Sequence, residues 1–298
     1  MEEIWFQRKK KLIFLAAFVV FVLFILFFIS VDSESLNAEG DIELHFIDVG
    51  QADATLILQG DNSILVDSGH WQRDDVVEYL NEINISKIDL LVGTHPHADH
   101  IGQMGLIIED FDVGEVWMSG YKQDSGIYLK VYEAIKNKDL IYREPRSGQK
   151  YYLESMEINI LNPTGLTRDI HGSGLAMKIS FGEFSVMFTG DIESDIEKKI
   201  IKRNDDGVFY FFKSLFFSDE NDLNVEVYQL GHHGSKTSST KEFLELMGLK
   251  LGIYSAGEGN SYGHPDKEVI DRFQEMGIPL YGTDEYGTIV VVGNEKGE

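Results

Sequence analysis

Thr94-His95-Pro96-His97-Ala98-Asp99-His100-Ile101-Gly102 is the stretch on which the fold of this chain turns. It closes an apolar strand expected over Ile88–Thr94. In an extended segment residues two apart project to the same side, so His95 and His97 point together. The chain is then expected to turn into a helix, which carries Asp99 and His100 to the neighbouring side. Two imidazoles on one side, with a carboxylate and an imidazole on the other, can hold two divalent ions side by side. Nitrogen and oxygen donors without sulfur suit zinc, and also manganese or iron. Solvated loop residues do not account for three of the nine histidines falling within six positions at the end of a buried strand.

Two ions need more donors than this, and other strand ends offer them. Phe188-Thr189-Gly190-Asp191 ends an apolar strand, and a carboxylate there can bridge both ions. Asp191 also reads as the N-cap of a helix over Ile192–Lys202. Leu230-Gly231-His232-His233-Gly234-Ser235 ends another strand. His171 stands in His171-Gly172-Ser173-Gly174 immediately before a strand, where a plain loop histidine is the alternative.

Strands are expected over Asp41–Val49, Ala54–Leu58, Ser63–Asp67, Val113–Met118, Tyr151–Leu161, Gly174–Phe181, Phe184–Thr189, Val225–Leu230, Leu251–Ser255 and Gly287–Val292. Helices are expected over Asp74–Asn84, Ile127–Lys138, Ser239–Met247 and Lys267–Met276. Two similar halves, each with strands first and helices interleaved, imply an α/β fold of two sheets packed face to face with helices outside, a four-layer αββα sandwich over residues 41–298. The segment Val208–Phe217 is anomalous, with Phe209, Tyr210, Phe211, Phe212, Phe216 and Phe217 between acidic flanks. It reads as an extra element on the core, or as an aromatic flap over the site or against lipid.

The domain resembles the metallo-β-lactamase fold superfamily. Within it, the domain is similar to the soluble hydrolase domain of competence proteins of the DNA-uptake channel type. Beyond the HxHxDH core, the matching stretches are HFIDVGQADA at His45–Ala54, ILVDSG at Ile64–Gly69 and FTGD at Phe188–Asp191. GHHGSKT at Gly231–Thr237, Tyr262-Gly263-His264-Pro265, and Gly282-Thr283-Asp284 with Gly287-Thr288-Ile289 complete them. The resemblance implies the αββα fold and a dinuclear site. It assigns His95 and His97 to the first metal, Asp99 and His100 to the second, and Asp191 to both. One of His232 and His233 completes the second metal, with His232, first out of the strand, the expected ligand. Asp67 stands where the superfamily keeps an acid that supports the histidine loop, and Gln51 and Asp53 shape the same edge. The chain departs from the pattern at Gly102-Gln103, where Gly-Gly is usual, and at Ala52-Asp53-Ala54, where Gly-Asp-Ala is usual. His171 stands where this branch often has asparagine, which would give a fuller first-metal site.

Residues 1–31 differ from the rest. Arg8-Lys9-Lys10-Lys11 precedes an unbroken apolar run, Leu12–Ile29. As a helix the run would span roughly 27 Å, about the hydrocarbon thickness of a bilayer. The basic cluster before it leaves the N-terminus in the cytoplasm and sends the catalytic domain across. The expectation is a single transmembrane helix, with a cleaved signal peptide (a weak site at Ser33-x-Ser35) as the alternative. Residues 32–40 read as a short linker. One anchor is not a multi-helix channel, so the DNA-uptake role is not carried over. The 298-residue chain has a net charge of −24, all of it beyond the basic N-terminus, and no cysteine. A charge of that sign offers no basic stripe for duplex DNA, and the missing thiols exclude thiolate metal sites.

Two metals lower the pKa of bound water from about 15.7 toward 7, so a hydroxide nucleophile is available at neutral pH without a side-chain nucleophile. Asp99 is suited to orient it. His233 and His264 are suited to bind a non-bridging oxygen or protonate the leaving group. His45 and His70 are weaker cases. The expected function is hydrolysis of a phosphodiester outside the membrane, in a nucleic acid, a nucleotide or a phosphorylcholine-bearing wall polymer. An acyl substrate (lactam, lactone or thioester) is the alternative, and a non-catalytic anchored binding protein the remote one.

Overall fold

The computed structural model describes residues 40–205 and 223–298. The expected anchor and the aromatic segment Val208–Phe217 lie outside the described residues. Among the described residues no helix is long and apolar enough to cross a membrane.

Among the described residues fourteen strands form two seven-stranded sheets. The first sheet holds β1 (Asp41–Phe46), β2 (Thr55–Gln59), β3 (Asn62–Val66), β4 (Lys87–Gly93), β5 (Asp112–Met118), β6 (Ile141–Arg143) and β14 (Ile289–Asn294). The second holds β7 (Lys150–Leu153), β8 (Met156–Asn162), β9 (Ala176–Phe181), β10 (Phe184–Phe188), β11 (Val227–Gln229), β12 (Leu251–Tyr254) and β13 (Leu280–Gly282). Their orders are β14-β1-β2-β3-β4-β5-β6 and β13-β12-β11-β10-β9-β8-β7. Each sheet is antiparallel in one half and parallel in the other: β3 to β6 run parallel, and so do β10 to β13.

The layers follow from which faces are apolar. Leu44, Phe46, Leu90 and Val92 of the first sheet meet Ile158, Ile179, Phe188 and Ile253 of the second in one central core. The outer face of the first sheet is covered by α1 (Asp75–Glu82), α2 (Met104–Asp110) and α3 (Gly126–Asn137), through Val76, Leu80, Ile107, Val131 and Ile135. The outer face of the second is covered by α4 (Ser194–Asp205), α5 (Lys241–Met247) and α6 (Lys267–Met276), through Ile196, Phe243, Leu244 and Phe273. A short α7 (Thr283–Tyr286) precedes β14. β4 is buried on both faces, which is why it reads as an unbroken apolar run rather than an alternating one. This is the αββα sandwich expected from the pattern.

Three expectations change. Tyr151–Leu161, read as one strand, is a hairpin, β7 and β8, that reverses at Glu154 (φ 48°). The helix after Asp191 begins at Ser194, and the Asp191 carboxylate faces the histidines instead of capping it. β6 and β13, at three residues each, were not foreseen.

Candidate metal centre

Parallel strands in an open sheet deliver functional residues at their carboxyl ends, and here both sheets do so along one edge. β3 leads to Asp67, β4 to His95, β10 to Asp191 and β11 to His232 and His233. His171 precedes β9, which runs antiparallel to β10, so it arrives at the same edge.

Asp67 fixes the geometry of the motif loop. It is buried, in the left-handed region at φ 61°. The Thr94 N–H and hydroxyl each donate to its carboxylate at 2.8 Å, and His100 Nδ1–H donates at 2.8 Å. The carbonyl of His100 accepts from the Ser68 hydroxyl at 2.9 Å. With Nδ1 so engaged, the free lone pair of His100 is on Nε2, which points 3.2 Å from Asp191 Oδ1. Gly102 closes the loop: a Cβ there would collide with the backbone of Trp71, Gly69 and Ala98. The Gln103 that replaces the usual second glycine is buried. It donates to Asp75 Oδ1 at 2.8 Å and accepts from the Val77 N–H at 3.3 Å, so it anchors the start of α1.

His233 is oriented in the same way by a different partner. Its Nδ1–H donates to the Ser255 carbonyl at 3.1 Å, leaving Nε2 bare and 3.5 Å from Asp99 Oδ2. Asp53, also buried, approaches Nδ1 of both rings, 3.5 Å from His233 and 3.8 Å from His100. It stands behind the two imidazoles and orients them. On the other side of Asp191, His95 Nε2 lies 3.5 Å from Oδ2, His171 Nε2 lies 4.0 Å from it, and His97 Nδ1 lies 2.9 Å from His95 Nε2.

Donor atoms of His95, His97, His171 and Asp191 lie within 4.8 Å of one another, and so do those of Asp53, His100, Asp191 and His233. Asp191 is common to both sets. The sequence reading placed His232 in the second set. The structure puts His233 there, because both residues adopt left-handed φ (51° and 55°) and the tight turn sends the second ring inward. His232 lies at the mouth instead, with Nε2 3.7 Å from Asp191 Oδ2. Asp99 stands at the edge of the second set, on the Nε2 side of His233. The rings of His264 and Tyr262 stack 5.8 Å apart, and the His264 ring is 5.8 Å from His232 and 6.5 Å from His233. His45 is remote, bound to Tyr79 Oη at 2.7 Å, and His70 pairs with Trp71.

The electrostatics fit two cations. Burial disfavours charge on His95 and His97 and lowers both. Burial opposes protonation of His100 too, but the Asp191 and Asp67 carboxylates override it and hold His100 well above its ordinary value. Asp53 and Asp99 do the same for His233. Burial would raise Asp191, yet His100 and His95 hold it well below the usual carboxylate range. Among the described residues eight buried side-chain atoms make no hydrogen bond, and five of them belong to the two donor sets: His100 Nε2, His171 Nε2, His233 Nε2, Asp191 Oδ1 and Asp53 Oδ1. Unpartnered buried polar atoms are costly. Apart from the Asp53 oxygen, which lies behind the rings, they are the lone pairs a divalent ion would take up.

The family model for the metallo-beta-lactamase superfamily matches residues 47–258. The chain belongs to that superfamily. Its metallo-β-lactamase fold and donor sets are those of a metal-dependent hydrolase. Among curated proteins it is similar to ComE operon protein 3 of Bacillus subtilis, at 25% identity over 85% of this chain and 33% of that protein. It is similar as well to competence protein ComA of Neisseria gonorrhoeae, at 24% identity over 81% of this chain and 31% of that protein. The chain thus spans about a third of the length of these relatives. Among solved structures, the metallo-beta-lactamase fold protein YhfI of Bacillus subtilis superposes with a TM-score of 0.54 at 14% identity, covering 85% of this chain and all of that one.

Proposed function

We propose that the chain hydrolyses a phosphodiester with two divalent ions, zinc, manganese or iron, held on either side of Asp191. The observation that carries this reading is the Asp191 carboxylate, whose Oδ2 faces His95 and His171 Nε2 and whose Oδ1 faces His100 Nε2. His95, His97, His171 and Asp191 would hold the first ion, and His100, His233 and Asp191 the second, with Asp99 on its open side. When bound, the ions supply Lewis acidity toward the scissile group and make water a nucleophile at neutral pH.

The protein's own groups do the rest. Asp67 and Ser255 hold His100 and His233 with Nε2 forward. Asp99 Oδ2 is placed to orient a water and take its proton. His264 Nδ1, buried and without a hydrogen bond among the described residues, is placed to meet a non-bridging oxygen or give a proton to the leaving oxygen. His232 at the mouth provides a second imidazole for the same anionic group. This pair of mouth histidines is what favours a phosphodiester over an acyl substrate. Action outside the cytoplasmic membrane is part of the proposal, resting on Arg8-Lys9-Lys10-Lys11 before the apolar run Leu12–Ile29.

Metal analysis with parallel assays on bis-p-nitrophenyl phosphate and nitrocefin tests the reading. Bound metal with phosphodiester turnover that Asp191→Asn abolishes is expected. Turnover of nitrocefin alone would move the substrate to the acyl class, and metal with neither activity would overturn the proposal.

A further inference from the structure

Glu193 belongs to neither donor set, yet its carboxylate stands at their mouth. Its Oε1 lies 3.8 Å from His232 Nδ1, and the rings of His232 and His171 are 5.0 Å apart. One donor atom from each of His171, Glu193 and His232 lies within 4.8 Å of the other two. Two imidazoles and a carboxylate at that spacing can take a divalent transition-metal ion. His171 Nε2 is buried and has no hydrogen-bond partner among the described residues, and it lies 4.0 Å from Asp191 Oδ2, so the same imidazole can serve the outer trio and then the inner set. Side-chain exposure falls from 41% at Glu193 through 23% at His232 and 21% at His171 to 4% at Asp191 and none at His95. His171 is shared by the outer trio and the inner set.

We propose that Glu193, His232 and His171 form an outer cation position through which a divalent ion reaches the His95, His97 and Asp191 donors. The reasoning is one of desolvation. A hydrated ion cannot shed its water at a fully buried imidazole without large cost. The half-exposed trio replaces water stepwise, Glu193 supplying the charge that attracts the ion and His171 the ligand common to both positions. The proposal rests on the two inner sets being metal sites, and not on the identity of the substrate.

Cobalt(II) uptake by the chelator-stripped full chain, followed by absorbance after rapid mixing, tests this. Glu193→Gln keeps the shape and removes the charge, and should slow uptake by roughly tenfold, in the range by which local fields alter association rates, with the final ion content equal to wild type. Glu258→Gln, an exposed acid outside all three groups, should load at the wild-type rate. Three results would overturn the proposal: wild-type uptake in Glu193→Gln, equal slowing by Glu258→Gln, or loss of a tightly held ion from Glu193→Gln, which would make Glu193 a ligand of the inner pair. A wild-type chain that holds no cobalt would remove the metal centre beneath it, whereas two ions bound with uptake indifferent to Glu193 removes the outer position alone.

Discussion

Asp67 Oδ2 and His100 Nδ1 are 2.8 Å apart, both fully buried, and join the end of β3 to the loop after β4. The contact sets which nitrogen of His100 is free. Asp67→Ala is therefore expected to weaken metal binding by roughly 10–100-fold, the usual cost of losing a carboxylate behind a ligand histidine. Competition with a chromophoric chelator measures it, and unchanged affinity would show that the ring is held by other contacts.

His232 and His233 should separate cleanly. His233→Ala removes an inward nitrogen and is expected to leave the protein with about one ion fewer, while His232→Ala keeps both. Metal content per chain after dialysis decides the matter. The reverse pattern would return the ligand role to His232.

The metal-free protein should lose stability as pH rises. His100 and His233 have folded values held well above 6.5. Their contribution is fully present below about 6.5, the unfolded value, and is lost as pH climbs through the folded values. His95, His97, His232 and His264 are shifted down, so above 6.5 they are neutral in both states and do not offset this. Melting temperatures of chelated protein from pH 6 to 9 should fall. Metal affinity should move the opposite way, since each ion displaces fewer protons at higher pH. A flat or rising melting curve would contradict the assignment of protons to the His100 and His233 rings.

Gly102→Ala is expected to destabilise by about 1–3 kcal/mol or more, because the added methyl meets backbone on three sides and none of it can rotate away. Denaturant unfolding measures it. Gly126, where a Cβ would meet nothing within 4 Å, serves as the comparison.

Much of this molecule is legible in its sequence, for physical reasons. His95, His97 and His100 stand out because the motif follows a strand apolar on both faces. Asp191 stands out because it ends another such strand. The choice between His232 and His233 was not legible, because it depends on two consecutive left-handed residues that no side-chain pattern announces. Asp53 lies in Ala52-Asp53-Ala54, with no ligand-like spacing, and its approach to two imidazoles is made by tertiary packing alone. Asp53 was expected only to shape this edge, whereas Glu197 was missed altogether: buried on α4, it accepts from the Thr240 N–H at 3.0 Å and hydroxyl at 2.6 Å, bracing the loop that follows the histidine pair. The β7–β8 turn was hidden because Glu154 adopts a conformation that sequence ordinarily reserves for glycine or asparagine.

The arrangement of the donors also makes the centre a mechanical part. His95, His97 and His100 come from the first sheet's half of the chain, and His171, Asp191 and His233 from the second's. The hydrophobic core holds the two sheets face to face over their area, and at this edge the polar donors of both halves meet. Ions seated there would act as a rivet between the halves. Loading and folding then become one linked equilibrium. Metal starvation would then loosen this edge as well as remove the chemistry the ions supply.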